Sequence, residues 1–156
     1  MQNITDYSPL DRFDRDILTL LTRDGRMSVA ELARRVGLSK TPCQTRLKRL
    51  QDDGYITGFR AVLNPAKLNR EHVAFVEVKL ADTREKALAE FSAAVLQVAE
   101  IDQCHMIAGA FDFLLKVRTK DITEYRRVLG ESLSTLPHVA NTSTHVSMQT
   151  VRDDAL

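Results

Sequence analysis

The chain has 156 residues, of which 44% are hydrophobic and 28% charged. That length suits one medium domain or two small ones, and the balance is ordinary for a soluble globular protein. No apolar run approaches the roughly 20 residues of a membrane span, residues 1–11 lack a signal-peptide core, and Cys43 and Cys104 have no CxxC spacing. The expectation is a cytoplasmic protein with no membrane partner, no disulfide framework, no zinc finger and no cofactor.

The net charge of +1 conceals an asymmetry. Residues 1–60 carry 11 Lys/Arg against 8 Asp/Glu, residues 61–156 carry 11 against 13, and residues 26–60 carry 8 against 3. Positive charge concentrated in one short stretch points to nucleic acid, whereas the overall balance says nothing about it.

Taken in chain order, residues 11–24 read as a helix. Asp11 can cap it, Phe13, Ile17, Leu20 and Leu21 recur with helical spacing, and Gly25 stops it. Ser28 and Glu31 form an S-x-x-E capping box for a second helix whose apolar stripe is Val29, Leu32, Ala33 and Val36. Gly37 ends that helix. Thr41, Pro42 and Gln44 then read as N-cap, first-turn proline and capping-box partner of a third helix, with Ser39 as the alternative cap. Cys43, Leu47 and Leu50 point inward from it, and the connection has helix-turn-helix length. Tyr55 to Leu63 is strand-like, and Asn64-Pro65 breaks it.

The second half changes period. Val73 to Leu80 alternates, with Ala74, Val76, Val78 and Leu80 on one face. Arg84 to Val98 is helical through Leu88, Phe91, Val95 and Val98. Ile101 to Ala108 and Phe111 to Thr119 are strands joined by a Gly109-Ala110 turn, the second with Phe111, Phe113, Leu115 and Val117 on one face. Ile122 to Leu136 is helical, with Ile122, Tyr125, Leu129 and Leu133 inward. Pro137 ends it, and Val139 to Val151 is a last strand. The order is βαββαβ, the ferredoxin-like split unit, with two helices on one sheet face and an opposite face apolar enough to be buried against a partner. The expected class is α+β: a winged-helix-like helix-turn-helix domain over residues 1–60, a linker over 61–71 and a ferredoxin-like domain over 72–156.

On the third helix, Thr41, Thr45, Lys48 and Asp52 project opposite the core, flanked by Gln44 and Arg49, with no acid between Lys40 and Gln51. Charge alone is equally the mark of a solvated amphipathic helix, but the three-helix spacing and paired capping signals favour DNA. The candidate DNA-binding set is Ser39, Lys40, Thr41, Gln44, Thr45, Arg46, Lys48 and Arg49. Lys40, Thr41, Gln44 and Thr45 sit near the helix start where base edges are read, and Gln44 can bond an adenine edge. Lys48 and Arg49 suit backbone phosphate. Arg46 lies beside the core, where a salt bridge competes with a phosphate contact. Cys43 is packing.

The stretches DRFDRDILTLLTRDGRMSVAELARRVGLSKTPCQTRLKRLQDDGYITGF, LNP and DQCHMIAGAFDFLLKVRTKDITEYRRVLGESLSTLPHV resemble the Lrp/AsnC family of bacterial regulators over nearly all of residues 10–151. They look closest to the leucine-responsive branch. The resemblance implies binding of double-stranded DNA by the N-terminal motif and an ACT-like C-terminal domain that dimerises through its sheet. It also implies dimers assembling into tetramers or octamers, an amino-acid effector between dimers, and pairing of the 55–63 strand with its counterpart in a partner. By position the effector region falls on Met106, Ile107, Gly109 and Asp112 and, in the last strand, on Thr144, His145, Val146 and Met148. Gly109 would admit backbone to a small ligand, Asp112 would accept its ammonium group, and N–H groups of the turn its carboxylate. A tight hairpin with a solvated acid is the bland alternative for Gly109 and Asp112. His145 and Ser147 replace residues that are usually bulkier in the leucine-responsive branch, which leaves leucine or another amino acid, such as proline, open as effector.

Two rivals share the build: a siroheme-decarboxylase-like enzyme and an architectural DNA-binding protein without an effector. Cys104 and His105, as strand neighbours, should face opposite ways and cannot share a metal or form a nucleophile–base pair. The expectation is therefore no catalytic residue, no metal site and no enzyme.

Overall fold

The computed structural model describes residues 10–153, in two compact units divided along the chain between residues 62 and 63. The first contains α1 (Arg12–Arg23), α2 (Val29–Val36) and α3 (Lys40–Asp52). Asp11 caps α1 reciprocally: the Asp14 N–H donates to Asp11 Oδ1 at 3.0 Å, and the Asp11 N–H to Asp14 Oδ2 at 3.1 Å. Ser28 caps α2 by accepting from the Glu31 N–H at 3.2 Å. The Glu31 carboxylate turns instead to Arg34 and Arg35, whose guanidiniums hold its pKa at about 2.

Gly37 closes α2 at φ +77°, the left-handed conformation that glycine adopts without a Cβ penalty. The cap of α3 is Ser39, with Thr41 and Pro42 already inside the helix, rather than Thr41 with Pro42 first. Ser39 has the extended backbone of a cap, and its carbonyl accepts from the Cys43 N–H at 3.2 Å. Pro42 fits because first-turn N–H groups have no intrahelical partner to lose. The three helices bury Ile17, Leu32, Cys43 and Leu50 completely, with Leu10, Leu18, Ala33 and Val36 around them. Burial pushes the Cys43 thiol pKa up, as expected of a packing residue.

Tyr55–Leu63 is not a strand in this chain. The expected pairing was with a second copy, and a strand has no ladder to join without a neighbour. Phe59, Val62 and Leu63 are consequently exposed.

The second unit contains β1 (His72–Leu80), α4 (Glu85–Val95), β2 (Ile101–Met106), β3 (Phe113–Thr119), α5 (Ile122–Val128) and β4 (Val139–Val146), preceded by a 3₁₀ turn at Ala66–Leu68. The sheet is antiparallel with order β2-β3-β1-β4, the expected split βαβ topology. Ala74, Val76, Val78 and Leu80 of β1 and Phe113, Leu115 and Val117 of β3 form the core with Phe91 and Val95 of α4 and Tyr125 and Val128 of α5. The Phe91 and Phe113 rings lie 4.5 Å apart.

Three expectations need correction. Ile122, the first residue of α5, is exposed, and Val128, one helical turn beyond Tyr125, takes a core position with it; α5 gives way after seven residues to a π-helical turn at Leu129–Leu133. The last strand stops at Val146 rather than continuing to Val151, so Met148 lies beyond it, fully exposed. The sheet face away from the helices is mainly polar. It carries Glu77, Lys79, Lys116, Arg118, Ser143 and His145, with Val73, Phe75 and Leu114 as the apolar residues of β1 and β3 on that face. Asp153 reaches back to this face and pairs with Lys116 and, at 2.7 Å, with Arg118.

Candidate nucleic-acid interface and effector region

The outward face of α3 follows from what the core takes. With Cys43 and Leu50 buried and Leu47 half-buried, Thr41, Gln44, Thr45, Lys48 and Arg49 are left exposed. These five, with Asp52 and Asp53, line a shallow concavity of about 470 Å³. Ser39 and Lys40 are exposed at the start of the helix. The Gln44 amide stands clear of the core, with two donors and an acceptor to offer a base edge. The Thr45 hydroxyl donates to the Thr41 carbonyl at 3.1 Å, which leaves its methyl and its lone pairs outward.

The cations of α3 are not equivalent. Lys48 reaches Asp52 at 2.6 Å, an exposed i, i+4 pair of the kind that contributes little and exchanges readily. Arg46 reaches Asp11 at 2.6 Å and Asp14 at 2.9 Å, and its guanidinium lies 5.4 Å from the centre of the Phe13 ring. The Asp11 hydrogen bond, reinforced by Asp14, raises the Arg46 pKa further. Arg49 reaches the other oxygen of Asp14 at 2.5 Å. Of the two outcomes open for Arg46 from sequence, the salt bridge is the one formed here. Asp14 was not singled out by sequence reasoning. Its only local signal is the acidic i, i+3 pairing with Asp11, and its partners lie 32 and 35 residues away.

One chain gathers the sequence-derived effector residues only in part. Met106, Ile107, Gly109 and Asp112 cluster at the β2–β3 turn. There the Ile107 N–H donates to the Asp112 carbonyl at 2.8 Å, and a Cβ on Gly109 would meet nothing closer than Ile107 at 3.7 Å. Asp112 Oδ2 accepts the Leu80 N–H at 2.8 Å and Oδ1 accepts Lys79 Nζ at 3.0 Å, so its carboxyl titrates below the ordinary value, chiefly through the Leu80 N–H.

Thr144, His145, Val146 and Met148 lie elsewhere. Val146 sits opposite Ala74 on the edge strand β4, whereas Met106 belongs to the other edge strand and pairs with Phe113, which faces Val78. Three strand spacings and four residues along β1 separate Met106 from Val146 by roughly 14 Å across and roughly 13 Å along the sheet. Asp112, by contrast, is held on β1, the neighbour of β4, and the adjoining Ala110 and Phe111 share a concavity of about 190 Å³ with Asn141, Thr142 and Ser143. Alternation divides β4 again. Thr144 faces the helices, where its hydroxyl meets the Tyr125 hydroxyl at 2.6 Å, and His145 faces outward to Glu77 at 3.2 Å. Cys104 packs toward the core and His105 is exposed on the opposite face.

Comparison with known proteins places this geometry. A family model described as a winged helix-turn-helix DNA-binding domain matches residues 10–57, and one described as the Lrp/AsnC ligand binding domain matches residues 73–156. A proline dehydrogenase transcriptional activator of Rhizobium radiobacter is 65% identical over 156 residues, 100% of both chains. The leucine-responsive regulatory protein of Salmonella typhimurium is 47% identical over 143 residues, 92% of this chain and 87% of its own. Among solved structures, a Neisseria meningitidis transcriptional regulator in complex with L-Met superposes with a TM-score of 0.88 at 29% identity, covering 93% of this chain and 94% of its own. The chain belongs to the Lrp/AsnC family of transcriptional regulators, with a winged helix-turn-helix for DNA at its N-terminal end and the family's ligand-binding domain at its C-terminal end.

Proposed function

We propose that the chain is a cytoplasmic, homo-oligomeric regulator of amino-acid metabolism in which α3 enters the major groove and an amino-acid effector binds between copies. The observation that carries the DNA half is the exposed face of α3. Lys40, Thr41, Gln44 and Thr45 lie at its N-terminal end, where a recognition helix meets base edges, and Lys48 and Arg49 lie farther along at phosphate height. A dimer would read two half-sites related by its own two-fold axis. The exposed apolar side chains of Phe59, Val62 and Leu63 suit an obligate pairing with a second copy.

The effector half rests on the separation of Met106, on one edge strand, from Val146, on the other. A small ligand touching both of these residues would touch two chains. At the turn, the Lys79 ammonium sits on Asp112, which is consistent with an ammonium-accepting role for this carboxylate. Lys79 is half-exposed and free to yield to a ligand's ammonium. The relative named for proline dehydrogenase activation puts proline first among effectors to test, with leucine and methionine next. A non-enzymatic reading is favoured by the opposed orientations of Cys104 and His105.

Calorimetry with the three free amino acids, followed by footprinting on DNA upstream of a proline dehydrogenase gene, tests the proposal. The expected result is a protected pseudo-palindrome whose occupancy changes with one amino acid. A thermal midpoint unmoved by any of the twenty would favour an architectural protein without an effector, since a ligand that binds only the folded state raises stability.

A further inference from the structure

We infer that Asp14 is a positioning residue for DNA recognition, a buried carboxylate that bolts Arg46 between α1 and α3 and holds Arg49 in reserve for a phosphate. Asp14 is 1% exposed, the most deeply buried acid among the described residues. Its oxygens are divided between the two arginines: Oδ1 accepts Arg46, and Oδ2 accepts Arg49 together with the Asp11 N–H. A buried carboxylate stripped of every partner is strongly disfavoured, so Asp14 must keep at least one cation at all times.

Geometry decides which one it keeps. The Arg46 side chain is 27% exposed, is shared with Asp11, and stacks near Phe13, so three contacts would have to break together for it to leave. Arg49 is 48% exposed, lines the concavity beside Gln44, Thr45 and Lys48, and is joined to the fold by one carboxylate oxygen. When a phosphate draws Arg49 away, Asp14 retains Arg46 and the Asp11 amide. The exchange therefore breaks only one half-exposed contact. The same carboxylate fixes the angle at which α3 leaves the bundle, through the cation it does not release.

The test uses the full chain and two duplexes of equal length, one selected from a random pool by the unaltered protein and one unselected, titrated over a range of salt. Asp14→Asn keeps the size and one acceptor but removes the charge. It is expected to tighten binding to the unselected duplex about fivefold, the value of a half-exposed pair, because Arg49 no longer has to leave an anion. Asp16→Asn, on an exposed site of the same helix, controls for loss of an acid as such and is expected to give a smaller change. In an Arg49→Gln background the Asp14→Asn gain is expected to vanish; a gain that persists there overturns the proposal.

Arg49→Gln alone is expected to lower the salt slope by about one unit per protomer. An unchanged slope overturns the proposal even if Asp14→Asn fails to fold. Arg46→Gln is expected to lower the thermal midpoint, or to prevent folding, with the slope of the folded protein kept. A lost slope at an unchanged midpoint would show that Arg46, and not Arg49, is the phosphate ligand.

Discussion

Replacing Asp112 separates a structural contribution from a ligand contribution at one carboxylate. The ladder between β1 and β4 shifts register at Lys79/Leu80, and there the Leu80 N–H donates to Asp112 Oδ2 at 2.8 Å. Leu80 is 4% exposed, so in Asp112→Ala that N–H is left without water or partner, a loss of about 1–3 kcal/mol. The Lys79 pair is half-exposed and adds at most about 1 kcal/mol. Asp112→Ala is therefore expected to lower the urea-unfolding free energy by about 1–4 kcal/mol and Asp112→Asn, which keeps a carbonyl acceptor, by at most about 1 kcal/mol.

Acid should shrink the second difference. The folded pKa of Asp112 lies below its ordinary value of 3.8. The stability it contributes is thus present above 3.8 and disappears as pH falls through the folded value. Unfolding curves taken from about pH 7 to about pH 3 should show Asp112→Asn converging on the unaltered chain. Equal stability of Asp112→Ala and the unaltered chain at neutral pH would refute the Leu80 assignment. With the fold intact, Asp112→Asn is also expected to abolish calorimetric binding of the amino acid and to keep DNA binding. Retained ligand affinity would confine the residue to its structural role.

Three further outcomes follow from the geometry. Gln44→Ala should lose about 1–3 kcal/mol of discrimination at one base pair, measured by binding to a panel of single-base variants; uniform weakening across the panel would remove Gln44 from base reading. Lys48→Ala should flatten the plot of log affinity against log salt by about one unit, since the exposed Asp52 pair is weak enough to exchange for phosphate; an unaltered slope takes Lys48 off the phosphate list. Phe91→Ala, which empties a fully buried site against Phe113, should cost about 3–5 kcal/mol in chemical denaturation, and a loss below 1 kcal/mol would mean that α4 is not the lid of the core.

What the sequence revealed divides by distance along the chain. The alternation from Val73 to Leu80 and the caps at Asp11 and Ser28 are local, and each set its element correctly. Thr41 misled as a cap because Thr-Pro is a good start signal in isolation, while the turn closed by Gly37 allows α3 to begin one residue after Ser39. Ile122 misled because an apolar residue at a helix's first position extends the stripe in sequence without reaching the core, and the π-helical turn beyond Val128 leaves no mark in periodicity. The outward face of α3 was legible because its core side is marked by Cys43 and Leu50. The Asp14 clamp was not, because nothing in composition ties residue 14 to residues 46 and 49 before the helices are packed. Nor could periodicity tell that Met106 and Val146 would finish on opposite edge strands of the sheet.

That separation has a consequence for how such a receptor would report. A pocket completed by two molecules answers to the abundance of its own subunits as well as to the metabolite, since half a pocket on a lone chain holds ligand poorly. Under the proposed shared site, the effector dose that gives half response should drift downward as the cell makes more of the regulator. The level at which the regulator is made would then set sensitivity as well as output.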